Sequence, residues 1–154
     1  MLEGKHYQNA YVTRNIEKAI EAVKARAKVR KIIQYQGESE VMTPDGPRVQ
    51  GSKLAFIWVE DLQYELIEPI SGNLELYREA LPADDAPKFH HICMRVDNWD
   101  DFRARVGQQP FPVVIERASD PALKFLYLDA RELLGHYLEY TWMTDERWAQ
   151  VGGR

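Results

Sequence analysis

Apolar and polar positions alternate from His6 to Val12 (HYQNAYV), the two-residue period of a half-buried strand. The period then lengthens. After Thr13-Arg14-Asn15, the residues Ile16, Ile20 and Val23, with Ala19 and Ala27, fall on one face at helical spacing. This predicts a helix of about three turns, with Asn15 as its N-cap. Strand-like runs follow at Arg30 to Gln36, Lys53 to Glu60 and Gln63 to Pro69. The same succession returns downstream: a strand from Phe89 to Val96, a cap at Asp97-Asn98, and a helix whose Trp99, Phe102 and Val106 share a face and which stops at Gly107. Further strands are predicted at Pro112 to Glu116, Leu123 to Asp129 and His136 to Trp142. Each half therefore reads β-α-β-β-β. Gln8 precedes Asn15 by the same seven residues that separate His91 from Asn98, which indicates an internal duplication.

The pattern gives an α+β fold of two βαβββ modules forming one curved, mixed-sheet cup. Module 1 spans about 5–70, a linker about 71–87 carries Pro82, Ala83, Asp84, Asp85 and Pro87, and module 2 spans about 88–143. A tail, 144–154, carries Trp148 and is expected to form one amphipathic turn or helix. The halves differ mainly between Gly37 and Gly51, a stretch rich in Gly, Pro, Ser and charge that reads as a long loop of the functional kind.

Composition narrows the classes. A length of 154 residues suits a single domain whose two halves share a core. No apolar run approaches the roughly 18 residues a membrane span requires. The N-terminal Met1-Leu2-Glu3-Gly4-Lys5 lacks an apolar stretch after its charges, so the expected product is cytoplasmic, with no secretory signal and no membrane partner. A formal charge of −4 argues against nucleic acid, whose binding draws on a clustered basic surface. The one basic cluster, Lys24, Arg26, Lys28, Arg30 and Lys31, reads as a solvated helix end, with a docked phosphate-bearing cofactor as the sharper alternative. Cys93, the single cysteine, forms no internal disulfide and reads as a small buried hydrophobe.

Strand alternation then sorts the candidate chemistry. Gln8 faces with His6 and Ala10, Glu65 with Gln63 and Ile67, His91 with Cys93 and Arg95, and Glu139 with Tyr137 and Thr141. If the two cups pair, Gln8, Glu65, His91 and Glu139 converge as two carboxylates, an imidazole and an amide oxygen. Such a set balances a dication and leaves positions for water. A cation there makes a substrate oxygen a better electron sink, so that a neighbouring C–H becomes acidic and a loosened carboxylate can act as base. Plainer readings stand beside this one. A strand acid usually faces solvent, an inward histidine is usually hydrogen-bonded core, and only one of His90 and His91 can face in.

The four segments resemble the glyoxalase I and methylmalonyl-CoA epimerase members of the vicinal oxygen chelate superfamily, over nearly the whole chain. QNAYVTRNIEKAI is similar to the opening strand and helix with Gln8 as first ligand, YELIEP to the strand carrying Glu65, FHHICMRVDN to the start of the second module with His91, and GHYLEY to the closing strand with Glu139. The resemblance implies a glyoxalase, bleomycin-resistance and dioxygenase-like fold holding one divalent metal, Zn, Ni, Co or Mn. It implies a metal-dependent lyase or isomerase, glyoxalase-like or epimerase-like, that abstracts a proton next to a thioester, hemithioacetal or other carbonyl group and stabilises the enolate. Glu139 is the expected base. The further carboxylate of epimerases falls among Glu38, Glu40 and Asp45, of which Glu40 is carried forward. His6 is an alternative first ligand, and His6, Arg95 and Tyr137 are candidate substrate contacts. The Gln-Glu-His-Glu set occurs in some glyoxalases, yet the stretch after the first helix, AKVRKIIQYQGESEV, lacks the glyoxalase ending.

Two other functions fit the same fold. One is a non-catalytic small-molecule binder or resistance protein with Trp58, Tyr64, Tyr137 and Trp142 as stacking walls. The other is an iron-dependent ring-cleaving dioxygenase, which usually needs two histidines and so depends on His6 turning inward. A homodimer is expected, with the cup built within one chain or across two.

Overall fold

The computed structural model describes residues 3–72 and 75–154. The N-terminal reading of Met1 and Leu2 and the linker positions Asn73 and Leu74 lie outside the described residues. In chain order the elements are β1 (Lys5–Val12), α1 (Ile16–Lys24), β2 (Lys31–Thr43), β3 (Gly46–Val59), β4 (Leu62–Gly72), α2 (Glu75–Arg78), β5 (Lys88–Arg95), α3 (Trp99–Val106), β6 (Val113–Arg117), β7 (Leu123–Asp129), α4 (Arg131–Leu134), β8 (Tyr137–Met143) and α5 (Asp145–Gln150). Both long helices start as the sequence predicts. The Asn15 side chain accepts from the Lys18 amide, and the Asn98 side chain accepts from Asp100 and Asp101, which satisfies donors that the first helical turn cannot pair internally.

The strands form one barrel in the order β1-β4-β3-β2-β6-β7-β8-β5. Each module contributes the same sub-order, since β1 lies parallel to β4 as β5 lies parallel to β8. The modules join where β1 runs antiparallel to β5, with Asn9 opposite Ile92. At the other seam β2 and β6 meet through a single pair, Met42 with Glu116, so the cup closes into a barrel. The helices cover the outside. Ile16, Ala19 and Ile20 of α1 pack on Ala55, Ile57 and Leu66, and Trp99, Phe102 and Val106 of α3 pack on Leu126, Leu128, Leu138 and Tyr140. The tail forms α5, capped by the Thr144 hydroxyl, and Val151 after it packs against Trp58 and Tyr7. No helix among the described residues is long and apolar enough to cross a membrane.

The expected loop from Gly37 to Gly51 is a correction. β2 and β3 run on through it as a paired hairpin from Lys31–Trp58 to Thr43–Gly46. Only Pro44-Asp45 form the turn, and Gly46 adopts a positive φ of 101° that a side chain would disfavour. The Thr-Pro-Asp-Gly sequence is itself a turn signal with Pro pre-set for the second position. Diffuse Gly, Pro and Ser content obscured it.

Phe102 has no exposure and stacks on Tyr140 with ring centroids 4.7 Å apart, so it is the anchor of α3 on module 2. Phe102→Ala is expected to destabilise the chain by about 3–5 kcal/mol, read as a lower urea midpoint at unchanged slope. A loss below about 1 kcal/mol would show that α3 is not held this way.

Candidate metal centre

Two cross-strand rows define the barrel's floor. In one, Glu65 of β4 lies opposite Ala10 of β1, which lies opposite His91 of β5, which lies opposite Tyr137 of β8. In the other, Gln63, Gln8, Cys93 and Glu139 follow in the same strand order. The duplication is visible in this register. Gln8 and His91 are equivalent positions, and two residues further along each first strand a small residue, Ala10 or Cys93, stands opposite a glutamate. Ala10 and Cys93 are fully buried, and their small size leaves room for the longer side chains beside them.

Those side chains converge. Glu65, His91 and Glu139 are all buried, and each offers an atom that lies within 4.8 Å of the others. His91 Nε2 is 3.0 Å from Glu139 Oε2 and 3.6 Å from Glu65 Oε2. Gln8 lines the same cavity, about 530 Å³ in volume, as Glu65 and Glu139. Its walls are apolar and aromatic, including Ile33, Leu54, Phe56, Ile67 and Phe125.

Hydrogen-bond logic fixes which atoms face the floor. The Val151 carbonyl only accepts, so Gln63 presents its Nε2 there at 3.3 Å, beside the Trp58 indole N–H at 2.6 Å. Gln63 therefore turns its Oε1 to Gln8, whose Nε2 donates to it at 2.6 Å. Gln8 Oε1 is left buried with no hydrogen-bond partner. A second chain of bonds does the same for His91. The Leu76 carbonyl takes the Nε2–H of His90 at 3.2 Å. Burial, and then the neighbouring His91, pushes the His90 pKa down to about 3, so the ring is neutral and its Nδ1 is an acceptor. His91 then donates its Nδ1–H across 2.8 Å and directs Nε2 at the two carboxylates.

An orphaned amide oxygen, an imidazole and two carboxylates thus meet, with His91 Nε2 hydrogen-bonded to Glu139 Oε2 at 3.0 Å and no partner for the amide oxygen. Such buried acceptors require protons or a cation between them. One nitrogen and three oxygen donors, with two carboxylates among them, suit a divalent metal ion. The residues fit one. Without it, burial and then the charge of Glu139 raise the Glu65 carboxyl well above its ordinary value of 4.5, so that it holds a proton.

Four of the residues expected at the site lie away from this group. His6 is exposed, with Nε2 against the Gln8 carbonyl oxygen at 3.1 Å and Asn9 Oδ1 at 2.9 Å. A β-bulge is the cause. The pairing steps from His6–Met94 to Gln8–Cys93, and the extra residue, Tyr7, turns inward in place of His6. Arg95 is spent on the tail, its guanidinium 4.6 Å over Trp148 and near Asp145. Tyr137 packs under Arg131 and beside His90, outside the cavity lining. Glu40 is exposed, because Ile33, Tyr35, Gly37 and Ser39 take the cavity-facing positions of β2 and leave Glu38 and Glu40 on the outer face. Asp45 is in the hairpin turn.

Other cavity residues escaped the sequence reading. Tyr127 lies directly opposite Glu139 in the β7–β8 pairing, and its hydroxyl is 3.4 Å from His91 Nε2 and 3.0 Å from that of Tyr77. The signal was the register of that hairpin, which puts Tyr127 on the face of Glu139. Asp120, the remaining carboxylate of the lining, is engaged by Arg117 and by the amides of Ala122 and Leu123.

The protonated Glu65 sets a pH dependence. Its folded pKa is raised, so the folded chain holds a proton that the unfolded chain has released above about 4.5. This stability is present below that pH and lost as pH rises through the folded value. The metal-stripped protein is therefore expected to lose thermal stability with rising pH, and an added dication to restore it. Glu65→Gln is expected to remove both effects and to stabilise the stripped chain at neutral pH, measured by thermal unfolding with and without chelator. An unchanged pH profile in that variant would exclude a buried proton at Glu65.

A model of the Glyoxalase/Bleomycin resistance protein/Dioxygenase superfamily matches residues 7–127. No curated protein matches the chain. Among solved structures, a hypothetical protein from Bacillus halodurans C-125 is similar at 16% identity and a TM-score of 0.65, over 93% of this chain and 96% of that one. Methylmalonyl-CoA epimerase from Mycobacterium tuberculosis is similar at 15% identity and a TM-score of 0.63, over 97% of each chain. A variant of Streptomyces coelicolor methylmalonyl-CoA epimerase in complex with 2-nitronate-propionyl-CoA is similar at 14% identity and a TM-score of 0.64, over 92% of this chain and 98% of that one.

Proposed function

Because the chain belongs to the glyoxalase/bleomycin resistance protein/dioxygenase superfamily, we propose that it is a metal-dependent isomerase or lyase. The reaction removes a proton from the carbon next to the carbonyl of a small thioester, hemithioacetal or related compound. The single observation that carries this reading is the buried group of acceptors, Glu65, His91 and Glu139, gathered within 4.8 Å at the base of an apolar-walled cavity. Gln8, Glu65, His91 and Glu139 would hold the ion. When bound, a dication supplies the positive charge that makes the α-proton acidic and stabilises the enolate.

The chain's own residues do the rest. Glu139, a carboxylate that lines the cavity, is the base that takes the α-proton. Glu65 comes from the other module and lines the same cavity, so a second carboxyl stands by to return a proton to the carbanion. That arrangement favours isomerisation or epimerisation over simple binding. The apolar walls exclude water and strengthen the electrostatic terms at the floor. Since Glu40 faces outward, the acids open to substrate in this reading are the two ligand carboxylates. The ring-cleaving alternative loses its second histidine with His6 on the outside.

The test is exchange of substrate α-protons with deuterated water, using a panel of acyl-CoAs and hemithioacetals and protein refilled with zinc, nickel, cobalt or manganese. Exchange is expected with at least one ion and not with the stripped chain. Glu139→Gln should slow it by about 10²–10⁴-fold. Failure of every metal and substrate pair to exchange removes the reading.

A further inference from the structure

We propose that Tyr127 is a catalytic hydrogen-bond donor to the substrate oxygen on which negative charge develops, and that Tyr77 is the positioning residue that aims it. The inference rests on the proton-abstraction reading above. It adds a residue that neither metal binding nor base chemistry requires.

Tyr127 is anchored from three sides. Its strand register sets it opposite Glu139, its ring lies 4.7 Å from that of His91, and its hydroxyl oxygen accepts a hydrogen bond from Tyr77 at 3.0 Å. Tyr77 comes from α2, in the segment between the modules, and is itself buried. The direction of these bonds matters. Because Tyr77 gives its hydrogen to Tyr127, the hydrogen of Tyr127 must point elsewhere, and the neighbouring acceptor is His91 Nε2 at 3.4 Å.

With a dication held by His91, that acceptor would be taken, and the Tyr127 hydrogen would be free for another partner in the cavity it lines. A substrate oxygen brought to the same centre lies where this donor points. An ordinary phenol, with a pKa of about 10, keeps its hydrogen at neutral pH. A fixed donor in a site shielded from water stabilises developing charge more than it stabilises the neutral substrate. No proton is transferred from Tyr127 in this role.

The test uses Tyr127→Phe and Tyr77→Phe in the zinc-refilled chain, since removal of a hydroxyl leaves the aromatic packing in place. With a substrate found in the exchange panel, Tyr127→Phe should lower kcat by about 10²–10³-fold, with KM and zinc affinity little changed. Tyr77→Phe should give a smaller loss in kcat alone. A readout without turnover is binding of acetohydroxamate, an enolate-like anion, by titration calorimetry. Tyr127→Phe should weaken it by about 10-fold or more, in line with a charge-assisted hydrogen bond. Wild-type exchange with an unaltered Tyr127→Phe overturns the Tyr127 role alone, as does a variant that changes zinc affinity instead of kcat. A wild type that neither exchanges protons nor binds acetohydroxamate overturns the functional reading and this role with it. Should Tyr127→Phe not fold, 3-fluorotyrosine at 127 reports through its fluorine resonance. A shift on acetohydroxamate binding is expected, and its absence overturns the proposal.

Discussion

The antiparallel pairing of β1 with β5 governs the site, because it sets the first strands of two duplicated modules side by side at the middle of the barrel. Each first strand brings one ligand candidate and, two residues on, a small residue facing a glutamate on the parallel neighbour. Antiparallel pairing interleaves the two sets, so that Gln8 falls in the row of Glu139 and His91 in the row of Glu65. Neither module alone gathers the four. Ala10 and Cys93 are as much part of this arrangement as the ligands, since a bulky residue in either central position would fill the space into which the carboxylates turn.

The segments outside the repeat provide orientation. Val151, beyond α5, directs the Gln63 and Gln8 amides, and Leu76, in α2, directs the two histidine rings. Both chains of bonds begin at a main-chain carbonyl, a group that can only accept, and both end by presenting a bare acceptor to the floor. The consequence is energetic as well as geometric. Two carboxylates are buried together against one histidine, and a fold selected for stability alone would not keep them. Arg95, which the alternation put beside the site, earns its place by fastening α5 through Trp148 and Asp145.

Much of this was legible in the residues themselves. The caps at Asn15 and Asn98, the apolar faces of α1 and α3, and the seven-residue spacing from Gln8 and from His91 to those caps revealed the duplication and hence the fold. Strand alternation left Glu65, His91 and Glu139 beside plainer readings, and the resemblance of their four segments to a known family singled them out; the structure brings the three side chains together. What was not legible depends on how strands pair. The bulge at Tyr7 reverses the face of His6, and nothing in HYQNAYV announces it. Tyr127 becomes a neighbour of Glu139 only once the β7–β8 register is fixed. Glu40 read as a loop acid because the hairpin was taken for a loop, and strand alternation carries it outward once the pairing with Val49 is known.

The long β2–β3 hairpin is where the modules stop being alike, and this asymmetry bears on what the cavity accepts. Module 2 has a short β6 and no counterpart to the extension, so the first module alone reaches across to close the barrel at Met42 and Glu116. Its inward residues, Ile33, Tyr35 and Ser39 on β2 with Ser52, Leu54 and Phe56 on β3, supply much of one cavity wall. The floor is built from repeated positions and so resists change, because altering one ligand disturbs its partner rows. The wall is built from an unrepeated hairpin that carries none of the four candidate ligands, so in the proposed reaction the hairpin would read the substrate's shape while the floor would set its chemistry.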